Sequence, residues 1–132
     1  MSSRVPMVAA ILVLGLAVFG LQQVDAHARL VRSNPADKAQ LEKAPAQIEL
    51  RFNELLDDNF NSVKVFPAEQ LRLKERTEYA SGKPKVDGQD RTRLFVELKS
   101  LPPGEFVVEW RVLSRDGHSA SGRFSFHVLA RN

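Results

Sequence analysis

The sequence contains no cysteine in its 132 residues. A chain without thiols cannot form a disulfide, carry out thiolate chemistry or be anchored through a lipid-modified cysteine. Its two methionines, Met1 and Met7, both lie at the N-terminus, so the remaining residues offer no thioether ligand either. Any metal site beyond residue 7 therefore has to use nitrogen and oxygen donors, which excludes a methionine-rich site for a soft ion such as Cu(I).

The first 26 residues differ in composition from the rest. Arg4 supplies a positive charge, the run VPMVAAILVLGLAVFGL carries no charge, and the small residues Val24 and Ala26 come just before polar sequence. This pattern predicts a signal peptide over residues 1–26 that is cleaved after Ala26. The alternative is a retained anchor, because such a run approaches the length that spans a hydrocarbon core of about 30 Å. The cleavage pattern and the lack of a basic stop-transfer flank favour removal.

Residues 27–132 are predicted to form a single domain, because no Pro/Gly/Ser linker divides them. The predicted signal peptide implies that this domain is exported and periplasmic. The formal net charge of +3 is spread along the chain, and no basic cluster with interleaved aromatics indicates a nucleic-acid partner. The most basic run, RLKERTEY from Arg72 to Tyr79, includes two glutamates and is interpreted as solvated surface.

Apolar and polar residues alternate in most segments after residue 26, which is the period of half-buried strands. The clearest segments are QIELRF, EFVVEWRVL and RFSFHV, and the shorter candidates are SVKVF, RLFVEL and ARLV. Turn signals separate them at SNPAD, KAPA, ASGKPKVDGQD and LPPG. The pattern predicts an all-β domain, a single Greek-key β-sandwich or barrel of about seven strands. Short helical turns are possible at LEKAP and NELLDDNF, and residues 67–93 show too little pattern for an assignment.

Strand parity separates the core residues from the surface residues in the two strongest strands. Trp110 shares the inward parity of its apolar neighbours, which predicts a core position rather than a place beside a bound ligand. His127 has the opposite parity to Phe126 and Val128, so it is predicted to lie on the surface. The carboxylates Asp57 and Asp58 lack a third donor at calcium-loop spacing and are interpreted as a solvated loop.

The stretch SRDGHSASG, residues 114–122, places Asp116 two positions before His118. In an extended segment their side chains leave the same face, so both could approach one ion. Asp-Gly is also a common turn dipeptide, and the motif alone is weak support for a metal site.

Cleavage after Ala26 would change the chemistry of His27. As the first residue, His27 would offer its α-amine and its imidazole Nδ1 to one metal ion, which can displace the amine proton near neutral pH. His118 would add a third nitrogen and Asp116 a carboxylate oxygen. Such a set without sulfur suits Cu(II) best, with Ni(II) and Zn(II) as poorer candidates.

Several segments of the sequence together resemble those of a known family. The segments AHARL, SNPAD, IELRFNE, PGEFVVEWRVLSRDGH and GRFSFHV together resemble the CopC family of periplasmic copper-resistance proteins, including its YobA-like members, from His27 to Val128. The resemblance implies an immunoglobulin-like or cupredoxin-like Greek-key β-barrel that binds one Cu(II) per chain through His27, Asp116 and His118. It also implies an inner-membrane copper transporter of the CopD type as a possible partner.

The sequence departs from the family pattern at several points. Ser119 follows the last site histidine where family members often have proline, and the methionine-rich Cu(I) loop of some members is missing. RFNE stands where many members have Phe-Ser-Glu or Phe-Thr-Glu, and Glu54 is assigned no role.

Three functions remain open from the sequence. The favoured one is a carrier without catalytic activity that sequesters, buffers or hands over Cu(II) in copper resistance or homeostasis. A copper monooxygenase-like enzyme with the same terminal-histidine chelate would need an open coordination position, which Asp116 is expected to occupy. A metal-free β-sandwich interaction module is the third possibility, and it requires that His27 does not become the terminal residue.

Overall fold

The computed structural model describes residues 27–131, which form eight strands and one 3₁₀ turn at Ala68–Gln70. The strands are β1 (Leu30–Asn34), β2 (Ala39–Leu41), β3 (Gln47–Phe52), β4 (Ser62–Pro67), β5 (Lys85–Val86), β6 (Arg93–Glu97), β7 (Gly104–Leu113) and β8 (Ser119–Val128). All six strand segments predicted from alternation are present, and β2 and β5 are additional short strands. The helical turns considered at LEKAP and NELLDDNF do not form.

Two four-stranded sheets face each other. Their strand orders are β1-β3-β6-β5 and β2-β8-β7-β4, and all neighbours are antiparallel except the parallel pair β2 and β8. The alternating apolar residues of both sheets point into the space between them and form one core. The predicted all-β sandwich is therefore confirmed. No helix within residues 27–131 is long and apolar enough to cross a membrane.

Trp110 lies in this core, as its parity predicts, and is 7% exposed. Its ring makes an edge-to-face contact with Phe52, with centroids 5.1 Å apart. On β8 its register partner is Gly122. A Cβ at residue 122 would fall 2.6 Å from the indole Cζ2, so the absence of a side chain there gives the indole its space.

The unassigned segment after β4 covers the outer face of the second sheet. The 3₁₀ turn packs on β7, and on that face Phe66 and Val107 are a buried register pair. The Arg76 guanidinium lies 4.1 Å from the centroid of the Phe66 ring and 3.5 Å from a carboxylate oxygen of Glu109. It also donates to the carbonyl of Leu71 at 2.7 Å. The interpretation of RLKERTEY as solvated surface is therefore wrong for Arg76, whose aliphatic and planar surfaces cover an aromatic ring.

Candidate metal site

A tight turn between β7 and β8 holds Asp116 and His118. Ser114 is 2% exposed, and its backbone N–H donates to the carbonyl of His118 at 2.9 Å. Gly117 has φ of 89°, a left-handed conformation that glycine adopts without steric cost, and its N–H donates to the Ser114 carbonyl at 3.0 Å. These bonds close the turn, and they hold Asp116 and His118 at one end of the sandwich.

The Asp116 carboxylate is held by its own turn. Its Oδ1 accepts hydrogen bonds from the Ser114 hydroxyl and, at 3.2 Å, from the backbone N–H of His118. The Ser114 hydroxyl, then this N–H, and then the His118 ring lower the pKa of Asp116 below its ordinary value. The carboxylate is therefore anionic at neutral pH, and its negative charge favours the approach of a cation.

The His118 ring lies close to both other predicted site residues. Its Nδ1 is 3.2 Å from Asp116 Oδ2, a distance at which the tautomer protonated at Nδ1 donates to that oxygen. The His27 ring lies edge-on to the His118 ring, with the two ring centroids 5.2 Å apart. The fold thus brings together imidazoles that are 91 positions apart in the chain.

His127 is not part of this group. It is exposed on β8, as its parity predicts. It follows His118 by nine positions of extended chain, which corresponds to roughly 30 Å. Its prediction as a surface histidine is confirmed.

The segment Asn53–Asp57, which we call the bridging segment, contacts both halves of the site. The backbone N–H of Arg29 donates to the side-chain Oδ1 of Asn53 at 2.6 Å, and the Asn53 N–H donates back to the Arg29 carbonyl at 3.2 Å. Farther along, Leu56 forms a β-bridge with Ser114, and the Leu55 carbonyl accepts from the Arg115 N–H at 3.0 Å. The bridging segment therefore connects the N-terminal residues to the turn that carries Asp116 and His118.

The neighbouring acidic residues serve the loop itself. Asp57 accepts from the backbone N–H of Asn59 at 2.9 Å, and Asp58 pairs with Arg91 at 2.6 Å. Both contacts stay within the loop and its neighbour, in agreement with the interpretation of LLDDN as a loop. Among residues 27–131, no group of three or more His, Cys, Asp or Glu side chains is already arranged to hold a metal ion.

Sequence reasoning missed Asn53 and Ser114. Ser114 has the inward parity of Trp110 and Val112, and a serine at a core position that continues a strand is a signal for a buried hydrogen bond. Asn53 gives a weaker signal, because an amide directly after a strand is common in turns. Asn53 contacts the backbone of Arg29, and Ser114 contacts the carboxylate of Asp116.

Comparison with known proteins gives the context for this geometry. A family model described as the CopC domain matches residues 30–129. The chain belongs to the CopC family. The range matched to the CopC domain includes Asp116 and His118 and begins three residues after His27.

Curated relatives of this CopC domain include proteins whose names refer to copper. Protein YobA of Escherichia coli is 36% identical over 104 residues, which cover 78% of this chain and 79% of that protein. Copper resistance protein C of Pseudomonas syringae is 31% identical over 114 residues, which cover 86% and 88%. Copper transport protein CutJ of Bacillus subtilis is 33% identical over 104 residues, 78% of this chain but only 18% of that protein. The CopC domain thus matches a small part of that longer relative.

Solved structures share the fold. PcoC, a methionine-rich copper resistance protein from Escherichia coli, superposes with a TM-score of 0.63 at 28% identity, covering 78% of this chain and 99% of that one. CopC from Methylosinus trichosporium OB3b gives a TM-score of 0.70 at 24% identity, with coverage of 80% and 97%. The two-sheet architecture described above is therefore that of the CopC domain.

Proposed function

We propose that this protein is exported to the periplasm, loses residues 1–26 as a signal peptide, and binds one Cu(II) per chain in a site that begins at the new N-terminus. The ligands in this proposal are the α-amine and imidazole of His27, the imidazole of His118 and the carboxylate of Asp116. The names of the curated relatives support copper as the cargo.

The observation that carries the proposal is the approach of His27 to His118. Their ring centroids are 5.2 Å apart, and metal–imidazole nitrogen bonds are about 2 Å long, so small ring rotations can direct both imidazoles at one ion. Asp116 Oδ2 lies 3.2 Å from His118 Nδ1, so both atoms can approach the same ion. Imidazole, amine and carboxylate donors without sulfur suit Cu(II), which also stands at the top of the divalent affinity order.

We propose a carrier rather than an enzyme, because four protein donors fill the positions that an oxygen-activating copper centre would keep open. The exposure of the site supports exchange of the ion at the surface: the side chain of His118 is 51% exposed and that of Asp116 is 42% exposed. A longer relative that is itself named a copper transport protein supports a copper transporter as the partner. An inner-membrane transporter of the CopD type is the partner that we propose.

Titration of the processed chain, residues 27–132, with Cu(II) tests the proposal. One equivalent should bind tightly at neutral pH, and the affinity should fall at mildly acidic pH because protons compete for the amine and imidazole nitrogens. A competition assay with a chelator of known affinity measures both values. No tight equivalent at neutral pH, or an affinity that is unchanged on acidification, would argue against nitrogen ligation at this site.

A further inference from the structure

We infer that Asn53 is a positioning residue that fixes His27 for copper capture, an inference that rests on the function proposed above. Asn53 does not belong to the proposed ligand set. Its contact is with Arg29, two residues after the proposed terminal ligand, through the bond from the Arg29 N–H to Asn53 Oδ1 at 2.6 Å. With the return bond from the Asn53 N–H to the Arg29 carbonyl at 3.2 Å, it holds both backbone polar groups of Arg29.

The strand pairing near the N-terminus shows why a side-chain acceptor is needed there. In the ladder between β1 and β3, Leu30 pairs with Phe52, but the register shifts between Leu30 and Arg32. Val31 is the additional residue of this bulge and is exposed. Backbone pairing between β1 and β3 is therefore irregular toward residue 27. The Asn53 side chain supplies the acceptor for the Arg29 N–H.

Two anchors then act on the residues that follow His27. The side chain of Ala28 is buried in the core at 3% exposure, and Arg29 is held by Asn53. After cleavage no residue would precede His27, and a chain terminus is poorly ordered unless it is tied down. A terminal chelating residue that is already held in place loses less conformational freedom when it binds a metal, so its affinity is higher.

Asn53 also belongs to the segment that holds the other ligands. The bridging segment contacts the β7–β8 turn through the Leu56–Ser114 bridge and the bond from the Arg115 N–H to the Leu55 carbonyl. His27 is thereby fixed relative to the same piece of backbone that orients Asp116 and His118. This geometry makes Asn53 the connection between the two halves of the site.

The test compares two substitutions with a matched control in the processed chain. Asn53→Ala removes the side-chain oxygen that accepts from the Arg29 N–H, and Asn53→Asp keeps an oxygen at that position. Gln70→Ala is the control, because Gln70 Oε1 accepts from the Thr77 N–H at the same 2.6 Å. That bond lies by the 3₁₀ turn near Pro67, the register partner of Phe106 at the far end of β7 from the site.

Asn53→Ala should lower the Cu(II) affinity about tenfold, at the lower end of the effect of losing an outer-shell partner. In the metal-free chain it should also speed amide hydrogen exchange at Arg29. Asn53→Asp should restore both the affinity and the slow exchange, and Gln70→Ala should leave both at the wild-type values.

Wild-type affinity in Asn53→Ala would overturn the inference, as would an equal loss in Gln70→Ala or in Asn53→Asp. These results differ from a failure of the proposed function, in which the wild-type processed chain itself takes up no tight Cu(II). Exchange at Arg29 is measured without copper, so it reports on the positioning contact in either case.

Discussion

His118→Ala should lower the Cu(II) affinity of the processed chain by more than a hundredfold. Loss of an outer-shell partner costs about 10- to 100-fold, and loss of a ligand should exceed that range. His118 lies beside both other proposed ligands, with its ring 5.2 Å from that of His27 and its Nδ1 3.2 Å from Asp116 Oδ2. Its side chain is half-exposed, so the substitution leaves the core intact. Chelator competition measures the affinity, and thermal unfolding checks that the fold is retained.

His127→Ala is the matched control for this prediction. It removes the same side chain from an exposed position near the other end of β8. Its affinity for Cu(II) should equal that of the wild type. If His127→Ala weakened binding and His118→Ala did not, the assignment of the two histidines would be reversed.

Addition of Gly-Ser-Gly-Ser before His27 should also lower the Cu(II) affinity at least about a hundredfold, since it too removes a ligand rather than an outer-shell partner. The longer extension avoids a chain that begins Gly-Ser-His, in which the new terminal amine, the two amide nitrogens and the imidazole would themselves chelate Cu(II). The added peptide bond converts the terminal amine of His27 into an amide, which no longer supplies a readily deprotonated nitrogen to complete the chelate with the imidazole. The His27 side chain remains, so this change separates the amine from the ring. Titration of the extended and native chains under the same conditions gives the ratio of the two affinities.

A chain with Gly-Ser-Gly-Ser added after Asn132 is the control for the extension. It carries the same extra residues and keeps the native N-terminus, so it should bind as the wild type does. Equal affinity in the N-terminally extended chain would mean that the amine is not a ligand. If neither the native chain nor the extended chains bound Cu(II) tightly, the metal-free interaction module would gain support.

Much of the fold can be predicted from the alternation of apolar and polar residues in the sequence. Strands such as QIELRF and EFVVEWRVL bury every second side chain against the opposite sheet, so their alternation is visible without a structure. β2 and β5 are three and two residues long, too short for a period to be recognised. β2 exists because β8 provides a parallel partner, which is a tertiary effect.

The structure of the segment after β4 could not be predicted from the sequence, for a different reason. One of its contacts with the sheet is a charged side chain, Arg76, placed over the Phe66 ring. Hydrophobic patterning counts an arginine as solvated, although its guanidinium plane and aliphatic stem can cover an aromatic surface. Burial of this kind depends on the partner across the sheet and has no local signal.

The candidate site likewise contains residues that the sequence predicts and residues that it does not. Donor chemistry and the family resemblance were enough to select His27, Asp116 and His118 from the sequence, and the structure places the rings of His27 and His118 next to each other. The supporting residues Asn53 and Ser114 were not predicted. Their role depends on hydrogen bonds to residues that the fold brings close, namely Arg29 for Asn53 and the Asp116 carboxylate, within its turn, for Ser114.

The most direct test of the proposed copper site is electron paramagnetic resonance of the processed chain with one equivalent of Cu(II). Intact mass should first show that the exported protein begins at His27. The spectrum should show hyperfine structure from three nitrogens, two from His27 and one from His118, and it should lose a nitrogen in the Gly-Ser-Gly-Ser-extended chain. A spectrum without nitrogen hyperfine structure, or one that the extension leaves unchanged, would contradict a Cu(II) site built on the new N-terminus.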